Sequence, residues 1–153
     1  MFKSNNPLID SWEVPDFKTY QELGEEKKPI ADFMGGFGIG PAVSFKAMDI
    51  LRNLLEKDVE LLPIKTEVGP YFALHVKLLD CLDRGQSKVR LARDGSIIDV
   101  DIYALYWEIL KNVNIFRINE IGLSMLFVSD AFKNKCDENN LKGLIFYPVT
   151  IEE

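Results

Sequence analysis

Reactive and metal-ligating side chains are scarce in this chain. It contains one histidine, His75, and two cysteines, Cys81 and Cys136, which lie far apart and outside any CxxC spacing. One imidazole and two lone thiols do not build the usual nitrogen- or sulfur-rich metal centres, nor a disulfide framework. The thiols are expected to be reduced and partly buried. No apolar run approaches the ~20 residues that span a bilayer, and the N-terminal stretch MFKSNNPLIDSWEVPDF lacks the apolar segment of a signal peptide. The expectation is a cytoplasmic protein with no membrane partner. Basic residues are in deficit, with 18 Lys and Arg against 24 Asp and Glu and a net charge of −6. That balance argues against nucleic acid as a direct ligand. It favours solubility and suits a basic protein partner.

What remains is an ordinary globular composition. With 153 residues, 47% of them hydrophobic and 27% charged, the chain has room for one well-packed domain. Its clearest helix follows Gly40. Ser44 is placed to cap it, and Ala47, Met48, Leu51, Leu54 and Leu55 form one apolar stripe at helical period. Lys46, Asp49, Arg52, Asn53 and Glu56 take the wet side, with Arg52 and Glu56 spaced to pair. Residues 1–28 read as an arm packed on the body, broken by Pro7 and Pro15, with Trp12, Val14, Phe17 and Tyr20 as candidate pins. Residues 29–153 read as a single α+β domain.

Strands are expected at Pro29–Met34, Glu60–Lys65 and Tyr71–Leu79, with Gly69-Pro70 turning between the last two. In the third of these, Tyr71, Ala73, His75 and Lys77 form the more polar face. Asp94-Gly95 reads as a two-residue hairpin turn. That fold sets Leu91 against Ile98, Val89 against Val100, Arg90 against Asp99 and Lys88 against Asp101. Tyr103–Trp107 either continues the strand or turns into a short helix at Trp107–Lys111; strands at Ile115–Ile118 and Met125–Val128, and a helix from Asp130 to about Asn139 capped by Ser129, follow. Asn139-Asn140 is a natural stop that tolerates left-handed backbone, and Leu141–Val149 reads as a closing strand. The fold class is therefore α+β: a mostly antiparallel sheet with two main helices packed on it.

Four features invite a chemical reading, and each has a plainer one. Gly35, Gly36, Gly38 and Gly40 precede a helix, as phosphate-binding loops do. No Lys-Ser/Thr follows them, however, and Pro41 removes an amide donor, which favours a connector. His75 has no visible triad and reads as a bystander. Asp80 and Asp83 are spaced to share a helical turn and hold a cation, but helix-side charges do this constantly and a solvated turn is favoured. Tyr103, Tyr106 and Trp107 suit either a core or a partner anchor.

The succession PIADFM, PAVSFKAMDIL, ELLPI, YFALHVKLLDCLDR, the DGSI hairpin, NIFRI, LFVSDAFK and LKGLIFYPV resembles the consecutive blocks of immunity-protein family 11 of bacterial polymorphic toxin systems. The resemblance covers roughly Pro29 to Val149. It implies a small cytoplasmic α+β protein that protects its maker from a toxin encoded nearby. The matching positions Asp32, Ser44, Leu62, Pro63, Phe116, Phe127, Ser129, Gly143 and Phe146 look like caps, turns and core. His75 departs from the small polar residue common at its place. The resemblance supplies no catalytic residues, cofactor or metal site. Two further hypotheses stay open: an enzyme that reverses the toxin's modification or acts on a small molecule, and an interaction domain with no toxin partner. For a binding protein, the candidate contacts are Asp80, Asp83, Arg84, Tyr106 and Trp107, which combine charge and aromatic surface near strand ends.

Overall fold

Ser44 is where strand becomes helix. The computed structural model describes residues 5–17, 31–35 and 40–152. In it, strand β3 runs straight into the main helix through Ser44. The first elements are β1 (Asp16–Phe17), β2 (Phe33–Met34), β3 (Ala42–Ser44) and helix α1 (Phe45–Leu55). The Ser44 hydroxyl accepts from the amide of Ala47 at 3.1 Å and donates to Asp32 Oδ1 at 3.0 Å. One side chain thus caps the helix and ties it to the segment before β2. Ala47, Met48, Leu51 and Leu55 are buried as the stripe requires. On the wet side Arg52 lies 3.5 Å from Asp49, and Glu56 becomes the C-cap.

Next come β4 (Val59–Thr66) and β5 (Gly69–Val76), paired antiparallel from Val59↔Val76 to Thr66↔Gly69. The turn is two residues earlier than Gly69-Pro70. The Thr66 hydroxyl donates to the Gly69 carbonyl at 2.8 Å and accepts from the Val68 amide at 3.3 Å, so Glu67 and Val68 form the loop. Gly69, at φ +125°, is already in the ladder. The five-stranded sheet has the order β1-β4-β5-β3-β2, antiparallel except for β1 beside β4.

Both faces of this sheet are covered. Leu74 and Val76 join α1, Phe132 and Ile115 in the first core, while Leu62, Ile64, Tyr71 and Ala73 pack with Leu8 and Trp12 on the other side. The face expected to be polar is therefore buried, His75 included. The reason is long-range: Trp12 Nε1 donates to the Pro63 carbonyl at 2.8 Å, and Lys65 N to the Pro15 carbonyl at 3.0 Å. Pro63 has no amide to offer, but its carbonyl holds the tryptophan. Val14 and Phe17 are exposed, and Tyr20 lies outside the described residues.

At Lys77 the chain leaves one sheet for another, which splits the expected Tyr71–Leu79 strand. The short strand β6 (Leu78–Leu79) runs parallel to β9 (Ile115–Ile118), and β10 (Phe127–Val128) lies antiparallel on the other side of β9. Between them come the hairpin β7 (Lys88–Leu91) and β8 (Ile97–Ile102) and the one-turn helix α2 (Trp107–Leu110). A second core forms from Cys81, Leu82, Val100, Tyr103, Leu110, Phe116, Ile118 and Phe127. Within it Phe116 stacks on Phe127, and Tyr103 meets the same ring edge-on at 5.5 Å between centroids. Helix α3 (Asp130–Glu138) begins at Ser129, which accepts from the Phe132 amide at 3.2 Å, and ends before Asn140, at φ +52°.

Further expectations change. In the hairpin Val89↔Val100 and Arg90↔Asp99 pair, but Leu91 faces Ile97 and Lys88 faces Ile102. Asp94 accepts from both the amide and the hydroxyl of Ser96, and Ala92 N reaches the Ser96 carbonyl at 2.8 Å. The loop is thus three residues, with Gly95 at φ +82°, and irregularities in the ladder absorb the difference. Arg90 pairs with Asp99 and lies 3.8 Å from Asp101, in place of a Lys88–Asp101 pair. The closing strand Leu141–Val149 does not form; only Ile151 makes a bridge, to Tyr103. Lys142 is spent holding Asp32 and Phe33, Gly143 turns the chain at φ +108°, and Pro148 lacks an amide. Of Pro29–Met34, only Phe33–Met34 is a strand; Pro29 and Ile30 lie outside the described residues.

Candidate functional site

Two places bring chemistry-bearing side chains together. The first follows from the β4–β5 register, which sets Glu60 opposite His75. His75 Nδ1 lies 3.1 Å from Glu60 Oε1, which also accepts from the Leu8 amide at 2.8 Å, while Oε2 accepts from Ile9 at 3.2 Å. Burial alone would raise the Glu60 carboxyl. The two amides and His75 outweigh it and hold the group below its ordinary value. Beside the pair is a cleft of about 170 Å³ lined by Asn5, Pro7, Lys57, Val59 and Lys77 among others. Asn5 grips the backbone of Leu78 through both side-chain atoms, at 2.8 and 2.9 Å.

A histidine–carboxylate pair becomes catalytic when it activates a nucleophile. Among the described residues no Ser, Thr or Cys lines this cleft. Both thiols are buried elsewhere, and burial, with Glu120 near Cys81 and Asp137 near Cys136, pushes each up to about 11. Glu60 accepts from the amides of Leu8 and Ile9 and so clamps residues 8–9 onto β4. Among the described residues no group of three or more His, Cys, Asp or Glu could hold a metal ion. Gly40 has a structural reason: a Cβ there would run into the Leu74 carbonyl. Gly36 and Gly38 lie outside the described residues.

The second place gathers the five contact candidates. Residues 80–84 run antiparallel beside residues 103–107, with Leu82 opposite Leu105, Asp83 N bonded to the Ala104 carbonyl and Tyr106 N to the Cys81 carbonyl. Their roles then separate. Asp83 Oδ1 accepts from the amides of Gly85 and Gln86, closing a turn where the sequence allowed a helical one. Arg84 donates to the Gly95 carbonyl at 3.1 Å, tying this turn to the hairpin tip. Asp80 is exposed and accepts from Asn119 Nδ2 at 2.7 Å. Tyr106 and Trp107 are 47% and 58% exposed, so the aromatic run divides: Tyr103 is core and the other two face outward.

Sequence reasoning missed Glu108 and Ile109, which are exposed on the same turn. The signal was present, because one helical turn that sends Leu110 inward leaves its predecessors outside. Glu120 stands behind the corner; its charge adds to burial in raising Cys81, and its Oε2 is buried without a partner among the described residues.

A family model described as the Immunity protein family (Imm11) matches residues 64–150, more than half of the chain. The match includes both segments of the corner, 80–84 and 103–107. No curated protein matches the chain.

Proposed function

The chain belongs to the immunity protein family Imm11, and on that premise we propose that it neutralises a cognate toxin by binding and occluding it. The observation that carries the proposal is the family match, which spans the second core and the exposed corner built on it. The composition suits it: occlusion needs a rigid body with a complementary face, and a net charge of −6 favours a basic partner. Glu60, beside His75, holds the amides of Leu8 and Ile9 in the N-terminal segment, a structural role that suits a binding protein. Among the described residues no helix is long and apolar enough to cross a membrane. The protein acts in the cytoplasm of the cell that makes it, on a protein rather than a nucleic acid.

The test is co-expression of the neighbouring toxin with and without this protein, followed by co-purification. Rescue with a 1:1 complex, at nanomolar affinity or tighter (about −12 kcal/mol or better), is the expected outcome. Rescue at sub-stoichiometric levels without a complex identifies an enzyme that undoes the damage. Absence of rescue removes the immunity reading for that pair.

A further inference from the structure

We infer that the toxin docks on the corner formed by Asp80 and the turn Tyr106–Ile109, and that the surface it presents there is basic around an apolar recess. Single exposed apolar residues are normal. Here Tyr106, Trp107 and Ile109 are 47%, 58% and 44% exposed within four consecutive residues. The turn that carries them is fixed from behind by buried Leu110 and by the Tyr106–Cys81 backbone bond. Large side chains carried on a backbone fixed before binding cost less ordering on docking than the same side chains on a loose loop, which suits an interface anchor.

The charges beside them choose the partner. Asp80 and Glu108 are both exposed, Asp80 and Glu120 lie near Cys81 at the base of the corner, Lys111 follows the turn, and the Arg84 guanidinium is turned to Gly95. A phosphate backbone or an anionic membrane would be repelled, and a basic protein surface would be steered in. A second exposed apolar strip lacks this acidic setting. Ile145 and Tyr147, 78% and 80% exposed, lie on the C-terminal segment with Lys142, and the Phe146 between them has its ring centre 5.9 Å from the Nζ of Lys133, itself paired with Asp137. With Lys142 exposed and the Lys133 charge already paired, the strip has no acidic excess to steer a basic partner.

The inference rests on the immunity reading, and the experiment separates the two. The probe is the purified, inactivated product of the adjacent toxin gene, titrated against wild-type protein and variants with melting curves matched to wild type. Trp107→Ala should weaken the complex by about 30-fold or more, and Ile109→Ser serves if Trp107→Ala does not fold. Glu108→Lys should slow association at low salt by roughly 3–10-fold, with the gap closing in high salt. Tyr147→Ser should bind as wild type. Corner variants that bind normally, or a Tyr147→Ser variant that alone breaks the complex, overturn the assignment of the face and leave the immunity reading standing. A wild-type protein that self-associates through Trp107 and binds toxin regardless of that residue also overturns it. Failure of the wild type to bind overturns both.

Discussion

Asp32 and Glu60 show how single carboxylates assemble this molecule from distant pieces. Asp32 takes the Ser44 hydroxyl on one oxygen and the Lys142 amide on the other, so the helix cap and the C-terminal segment meet on one side chain. Gly143 completes that junction, since a Cβ there would strike the Phe33 carbonyl. Glu60 does the same for residues 8–9. Ser44, Ser129 and Asn140 were legible in the sequence because a cap or a left-handed stop is a local matter. The roles of Glu60 and His75 were not, because their partners lie far along the chain. The linkage has a definite sign. The folded Glu60 carboxyl titrates below its ordinary value of 4.5, so its stabilisation is present above that value and is lost as pH falls through the lower, folded value. Glu60→Gln should therefore destabilise the protein by about 1–2 kcal/mol at pH 7. The gap from wild type should shrink on acidification in urea titrations run between pH 3 and 7. A gap that stays constant with pH would refute the assignment.

At the scale of elements, periodicity found what one face decides and missed what two faces decide. The stripe of α1 fixed its buried side, and β9 was placed to the residue. The Tyr71 face of β5 reads as half polar and is buried, because residues 5–17 cover it and nothing in the strand's own alternation announces the cover. LKGLIFYPV shows the converse. Its alternation is strand-like, and Leu144 and Phe146 do pack inward, but among the described residues no neighbouring strand completes a ladder. The candidate corner was legible as a set of residues. That two of them serve the turn and the hairpin, and that Glu108 and Ile109 join the others, needed the Leu82–Leu105 bridge to see. For α1 the expectation is quantitative: Leu51 is fully buried against Phe132 and Val76 in the first core. Leu51→Ala should cost ~2–5 kcal/mol through lost burial and a residual cavity. A loss under ~1 kcal/mol in a denaturation series would mean the helix does not face that core.

At the scale of the whole molecule, the two cores meet across β9. Ile115 belongs to the first core and Phe116, one residue on, to the second, because successive strand residues point to opposite faces. Arg117 reinforces the seam, donating from its buried guanidinium to the Val76 carbonyl at 2.8 Å where β5 ends. A strand that walls both cores cannot lose one without exposing the other, so the two halves should unfold together. The two tryptophans report on the halves separately: Trp12 packs on the first sheet and Trp107 rides on the turn anchored by Leu110 in the second core. In Trp12→Phe and Trp107→Phe variants, the remaining tryptophan and the far-UV signal should give one midpoint in each protein. Ile115→Ala and Phe116→Ala should shift the midpoint seen by both probes. Noncoincident transitions, with the Trp12 signal surviving a Phe116→Ala substitution that abolishes the Trp107 signal, would show two independent units. The exposed corner would then stand on a half able to open by itself. A single transition would instead mean that the corner keeps its shape for as long as any of the protein is folded, as a rigid docking surface requires.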